Sequence, residues 1–176
     1  MPPAEYSLRL QRGADPPFLL KAYLSTDPIS NLAGITGGFA PPTPDAIHTI
    51  TKAENNTHLL ISSAIREIGT PNLGSFAPKS LLASSPHTDT ATLVDELHGI
   101  LKELPTEMPV GSEDIYGMDV SIAWGSEDLM WCNGGPEGCG GGASTVQATE
   151  EEKRKFSRAV QIVEELVGRG EATESY

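Results

Sequence analysis

Both cysteines of the chain, Cys132 and Cys139, lie in the glycine-rich segment MWCNGGPEGCGGGAS at residues 130–144. Six residues separate them, whereas a zinc knuckle has two to four residues between ligands and needs a second ligand pair elsewhere. A thioredoxin-type redox motif has only two intervening residues. The spacing therefore favours two ordinary thiols in a surface loop. A redox-sensitive pair and a catalytic cysteine are the alternative interpretations.

The glycines of this segment do not match a phosphate-binding loop, which needs a lysine and a helix directly after the glycines. The next helical pattern begins only near Thr149. Because glycine loses much conformational freedom on ordering, residues 134–148 are predicted to form a flexible loop.

The acidic residues raise the hypothesis of a calcium-binding site, because the tetrapeptide GSED occurs twice and its carboxylates are hard oxygen donors. Neither copy matches the Asp-x-Asp-x-Asp-Gly spacing of a calcium loop. At about 3.3 Å per strand residue, the two copies lie about 30 Å apart at opposite ends of one predicted strand. The four histidines show no ligand-like spacing either, so we predict no metal and no cofactor site.

If the protein is an enzyme, the first catalytic candidates are His87, Asp119, Ser121 and Cys132. His87 stands in SPHTD, just before a predicted helix, and is free to act as a base. Ser121 is expected opposite Cys132 in a hairpin, with Asp119 beside them. The sequence contains no G-x-S-x-G, H-E-x-x-H or G-x-G-x-x-G pattern, so no established mechanism is indicated.

The hairpin that carries these candidates is predicted by alternation in residues 117–132. A four-residue turn at 125–128 would pair Trp124 with Leu129 and Ile122 with Trp131. One face, which we expect to be buried with both tryptophans in the core, would then hold Met118, Val120, Ile122, Trp124, Leu129 and Trp131.

Two helices are predicted by apolar residues at helical spacing. The first is TDTATLVDELHGILKEL, capped by Asp89 or Thr90 and ended by Pro105, with His98 at the edge of its apolar stripe. The second is TEEEKRKFSRAVQIVEELVGRG, which begins with the capping box formed by Thr149 and Glu152.

The N-terminal third is predicted to be mainly extended. EYSLRLQRG alternates as a half-buried strand, and FLLKAYLS at residues 18–25 is its expected hairpin partner. Residues 26–44 are rich in glycine and proline and are expected to form a long flexible loop. Residues 45–68 suit either a second hairpin or a helix, and we favour the hairpin because two asparagines interrupt the pattern.

These elements predict an α+β fold in a single domain over residues 1–176, with flexible termini. The sheet is expected to be mostly antiparallel, with about four to six strands, and two main helices pack on one face. The net charge of −12 disfavours nucleic acid and anionic membranes as partners. With no apolar run of about 18 residues and no signal-like N-terminus, we expect a soluble cytoplasmic protein.

The sequence favours a non-catalytic protein that binds another protein, as a regulator or a complex subunit. The alternative is a small-molecule enzyme with a pocket between the sheet and the helices. A pocket of a few hundred Å³ with convergent polar groups would favour the enzyme, and a flat apolar patch would favour a protein partner.

Overall fold

The computed structural model of the chain describes residues 2–13, 44–67, 70–84, 89–134 and 143–172. The α+β class that the sequence predicts is confirmed, and five of the strands have four or more residues. In chain order the elements are β1 (Tyr6–Arg12), β2 (Ala46–Lys52), β3 (His58–Arg66), β4 (Leu73–Ser75), β5 (Lys79–Leu82), α1 (Thr90–Glu103), β6 (Val120–Ser126), β7 (Met130–Cys132), α2 (Glu150–Arg169) and β8 (Glu171–Ala172).

The described strands form one antiparallel sheet in the order β7-β6-β1-β2-β3-β5-β8, and β4 also pairs with β3. Strand β1 is central, because it pairs with β2 along one edge and with β6 along the other. Neither edge of β1 is left for the N-terminal hairpin that the sequence suggested, so that prediction is wrong. Its suggested partner, residues 18–25, lies outside the described residues, as do residues 26–43 of the predicted loop.

The second predicted hairpin is confirmed as β2 and β3, which pair antiparallel with Ile50 directly opposite Ile61. The turn between them includes a hydrogen bond from the Asn56 amide to the Ala53 carbonyl, at 3.0 Å. The β-branched run of β2 suits a pleated strand, which explains why the strand prevails over the helix.

The β6–β7 hairpin forms, but in a register two residues away from the predicted one. Trp124 lies directly opposite Trp131, and the Ser126 amide donates to the Leu129 carbonyl at 2.9 Å to close a shorter turn. Because the shift is even, both tryptophans stay on the predicted face. Met118 does not belong to this face: it precedes β6 and is 36% exposed.

One face of the sheet is buried beneath both helices. A row of directly opposed apolar residues crosses five strands on this inner face: Trp131, Trp124, Leu8, Ile50 and Ile61. The His98 ring of α1 lies 5.4 Å from the Trp124 ring, and the Phe156 ring of α2 lies 6.3 Å from the Trp131 ring. No described element covers the opposite, outer face, where Ser7, Arg9 and Thr51 are exposed.

The two helices run antiparallel and are joined by ion pairs along their length. Arg158 of α2 binds both carboxylate oxygens of Glu96 at 2.7 and 2.8 Å, and Lys155 binds Glu103 at 2.8 Å. The predicted capping box of α2 is confirmed. Asp89 is the N-cap residue of α1 but makes no side-chain capping bond, because its carboxylate pairs with Arg169 instead.

Neither helix in the described part of the chain is long and apolar enough to cross a membrane.

Trp124→Ala should lower the free energy of unfolding by about 3–5 kcal/mol, since it truncates an aromatic side chain that is only 2% exposed. Met130→Ala, on the neighbouring strand and 83% exposed, is the matched control and should change stability little. Denaturant unfolding measures both. A loss below about 1 kcal/mol for Trp124→Ala would contradict the described core.

Candidate functional site

The catalytic candidates named from the sequence do not come together as a catalytic group. His87 and Cys139 lie outside the described residues, so the possible redox pair has only Cys132 described. The corrected register places Cys132 opposite Ala123, so Ser121 is not its cross-strand neighbour as predicted. The Ser121 hydroxyl donates to the Asn133 carbonyl at 2.5 Å and is occupied there.

Asp119 serves a structural turn that precedes β6. Its backbone adopts a positive φ of 52°, and its amide donates to the Asp114 carboxylate at 2.7 Å. Its carboxyl group packs against Gly13, where any Cβ would come within 2.1 Å of the Asp119 Oδ2 atom. The Gly13 amide also donates to the Asp119 carbonyl at 2.8 Å, so this close approach joins the end of β1 to the start of β6.

The Cys132 thiol lies at an exposed position on the outer face of β7. Partial burial of the sulfur, together with the nearby negative charge of Glu107, raises the pKa of the Cys132 thiol. The thiolate is the nucleophilic form, so this direction opposes a catalytic role for Cys132.

Two buried residues that sequence reasoning missed anchor the start of the glycine-rich segment. Glu107 is 1% exposed, and its Oε1 atom accepts from the amides of Gly111 and Gly134 at 2.8 and 2.9 Å. The Asn133 side chain accepts from the Ile122 amide at 2.8 Å and donates to the Val120 carbonyl at 3.0 Å, as an additional strand residue would. A single glutamate and a single asparagine carry no sequence signal of such a role.

A cavity of about 620 Å³ lies elsewhere, at the end of the sheet where β1 begins and β6 ends. One outer-face row lines it, because Met130 is opposite Gly125, Gly125 is opposite Ser7, and Ser7 is opposite Thr51. The chain before β1, residues 3–5, forms a further wall. The cavity is thus beside the sheet end rather than between the sheet and the helices, where the enzyme alternative expected a pocket.

A hydrogen-bond network centred on Asp128 forms the polar wall of this cavity. The Oδ1 atom of Asp128 accepts from the Ser126 hydroxyl at 2.9 Å and lies 3.2 Å from Nε2 of His98. Its Oδ2 atom binds the Lys102 ammonium at 2.6 Å. The indole N–H of Trp124 donates to the Ser126 hydroxyl at 3.0 Å, which ties the network to the core.

This network contains serine, histidine and aspartate, but not in the order that activates a nucleophile. In a catalytic triad the histidine lies between serine and aspartate, whereas here Asp128 lies between Ser126 and His98. The Lys102 ammonium and the Ser126 hydroxyl hold the pKa of the Asp128 carboxyl well below its usual range. Asp128 is therefore a poor acceptor for the Ser126 proton, and the arrangement is not that of an acyl-transfer triad.

Negative charge dominates the cavity. Four carboxylates line it, from Glu5, Glu54, Glu127 and Asp128. Two lysines lie nearby: Lys102 binds Asp128, and the Lys52 ammonium donates to the Ala4 carbonyl in the cavity wall. The arrangement favours a cationic group as the ligand.

No three histidine, cysteine, aspartate or glutamate side chains among the described residues are arranged to hold a metal ion. The second GSED tetrapeptide was predicted to be a four-residue turn, but Gly125 and Ser126 belong to β6, and only Glu127 and Asp128 form the turn. The sequence signal for the hydrogen-bond network was the pair Ser126 and Asp128 at this turn. Its partners His98 and Lys102 lie on α1, earlier in the chain, so no local pattern connects them to the pair.

Comparisons of the chain with protein-family models, with curated proteins and with solved structures found no match.

Asp128→Asn should lower the thermal stability at pH 7, and the difference from the wild type should shrink as the pH falls below about 4. The reason is the sign of the shift: a carboxyl whose pKa is lowered by folding stabilises the fold above its unfolded pKa, and the contribution is lost on acidification.

Melting temperatures measured between pH 3 and 7 test this expectation. Glu67→Gln, at the opposite end of the sheet, is the control for loss of one charge. A difference between Asp128→Asn and wild type that is as large at pH 3 as at pH 7 would contradict the role given to the Asp128 carboxylate.

Proposed function

We propose that the protein is a non-catalytic binding protein whose partner is another protein, and that the cavity at the sheet end receives a lysine or arginine side chain of that partner. The observation that carries the proposal is the excess of carboxylates around an accessible cavity whose inner wall is rigid. The cavity volume of about 620 Å³ accommodates a long cationic side chain with part of the adjoining chain.

The rigidity of the inner wall comes from stacked rings. Tyr6 stacks on Trp124 with ring centroids 4.9 Å apart, and the tilted His98 ring lies 5.4 Å from the Trp124 ring. Tyr6 and His98 both line the cavity. A wall that does not reorganise on binding costs little conformational entropy, which favours recognition of a partner with few contacts.

The charge of the whole chain supports the same partner. A net charge of −12 attracts basic proteins over distances of about a Debye length and speeds their association. Because this long-range attraction is not specific, the cavity is what distinguishes one basic segment from another in this proposal.

The volume of the cavity favours a second candidate, a small-molecule site, since ligand pockets have volumes of a few hundred Å³. In that case a free amine would be the ligand, and Glu127, Asp128 and His98 would contact it. None of Asp119, Ser121 and Cys132 lines the cavity. The enzyme alternative would therefore rest on residues other than those first named.

We also propose that the protein acts in the cytoplasm, a compartment in which an exposed free thiol such as that of Cys132 persists. A thiol assay on protein isolated without reductant should then find Cys132 and Cys139 both reduced. A disulfide between them would contradict the cytoplasmic location and favour the redox-pair interpretation.

A fluorescein-labelled peptide of alternating lysine and threonine should bind the protein, and Glu54→Gln with Glu127→Gln should weaken binding about five- to thirtyfold. Each exposed ion pair contributes roughly 0.5–1 kcal/mol, which gives this range for two. Fluorescence anisotropy measures the dissociation constants, and added salt should weaken binding further.

Glu67→Gln with Glu171→Gln removes the same charge from sites distant from the cavity and is the matched control. Equal weakening by the two double variants would mean that net charge alone binds the peptide, which contradicts a role for the cavity. Competition by free lysine at the same concentration as the peptide would instead favour the small-molecule candidate.

A further inference from the structure

Among the described residues, strand β7 forms one edge of the sheet, and this edge lies directly beside the cavity. Strand β7 ends the strand order, and its only described neighbour is β6. Met130, which lines the cavity, is the first residue of this edge strand and is 83% exposed. The same strand therefore presents a side chain to the cavity and a backbone to the solvent.

The hydrogen-bond pattern shows which backbone groups face outward. The Ser126 amide bonds to the Leu129 carbonyl, and the Asn133 amide bonds to the Ile122 carbonyl. In an antiparallel ladder, hydrogen-bonded pairs alternate with non-hydrogen-bonded pairs, so Trp124 and Trp131 form the bonded pair between these two. The N–H and C=O groups of Met130 and Cys132 consequently point away from β6, toward an additional strand.

The way from such a strand into the cavity crosses Gly125, beside which the flexible Met130 side chain lies. Strands are about 4.8 Å apart, so a side chain next to Met130 must pass over Gly125, one strand further in, to reach the carboxylates. A Cβ atom at Gly125 would lie 3.4 Å from the Met130 sulfur, which is ordinary contact. Alanine therefore fits there without distorting β6 or β7, but it occupies the path.

We propose that the partner adds an extended basic segment to the outer edge of β7 and directs a lysine or arginine side chain over Gly125 into the cavity. This inference rests on the proposed function, and it specifies the partner as an unstructured or edge-strand segment. Backbone hydrogen bonds to Met130 and Cys132 supply its alignment, and the carboxylates of Glu54 and Glu127, which line the cavity, supply the preference for a basic residue.

A second copy of the chain is a less suitable occupant of this edge. Each copy carries a net charge of −12, so two copies repel one another. A basic segment is attracted by the same charge, and the short edge of three residues suits a peptide contact with few backbone bonds.

Two isomeric peptides test the inference without altering the fold. Both carry alternating lysine and threonine, and each is N-methylated on every second backbone nitrogen, one on the odd and the other on the even positions. An added strand directs alternate N–H groups toward β7, so one isomer should bind at least tenfold more weakly than the unmethylated peptide, and the other should retain its affinity.

Amide hydrogen exchange of ¹⁵N-labelled protein locates the contact. The unmethylated peptide should slow exchange at Met130 and Cys132, while Trp131, whose amide already faces β6, should change little. Gly125→Ala should weaken the peptide several-fold, and Gly99→Ala on α1, where a Cβ meets nothing within 4 Å, should leave it unchanged.

The possible outcomes separate the two proposals. Equal binding of both N-methylated isomers, with binding still weakened in the Glu54→Gln and Glu127→Gln variant, would overturn strand addition and leave the basic-partner proposal intact. No binding of the unmethylated peptide would overturn both. Protection of Met130 and Cys132 in a dimer without peptide would assign the edge to a second copy and overturn the inference.

Discussion

A single row of opposed apolar side chains sets the register on which the rest of the structure depends. Trp131, Trp124, Leu8, Ile50 and Ile61 face one another across five strands and are buried beneath the helices. A slip of one residue in any of these strands would turn its buried side chains to the solvent, so the register is strongly specified. The adjacent outer row, from Met130 to Thr51, is fixed by the same register, and it lines the cavity.

Alternation in the sequence identified the buried face of β1 and of the β6–β7 hairpin, but not the pairing between strands. For β6 and β7, the predicted register was wrong by two residues, an even shift that keeps the same face buried and is invisible to a period-two pattern. The deciding contact is the Ser126–Leu129 turn bond, which is local geometry rather than hydrophobicity. For β1, pairing with the next apolar run in the chain was wrong because β6, far away in sequence, occupies that edge.

The candidate site was not predictable for a related reason. Its carboxylates come from the chain before β1, the turn after β2 and the turn after β6, and its histidine comes from α1. No motif spacing connects such positions, because the sheet order alone brings them together. The predicted candidates Asp119 and Ser121 were correctly placed near the start of β6, but their hydrogen bonds serve the connections between β1, β6 and the glycine-rich segment.

The register of the sheet brings carboxylates together around the cavity, and we propose that this cavity binds a basic side chain. A titration of ¹⁵N-labelled protein with a lysine-containing peptide, followed by amide chemical shifts, tests it most directly. The account predicts shifts concentrated at Ser7, Thr51, Gly125 and Met130, with the core residues Leu8 and Ile50 on the same strands unaffected. Shifts spread evenly over the acidic surface, or confined to the helices, would contradict it.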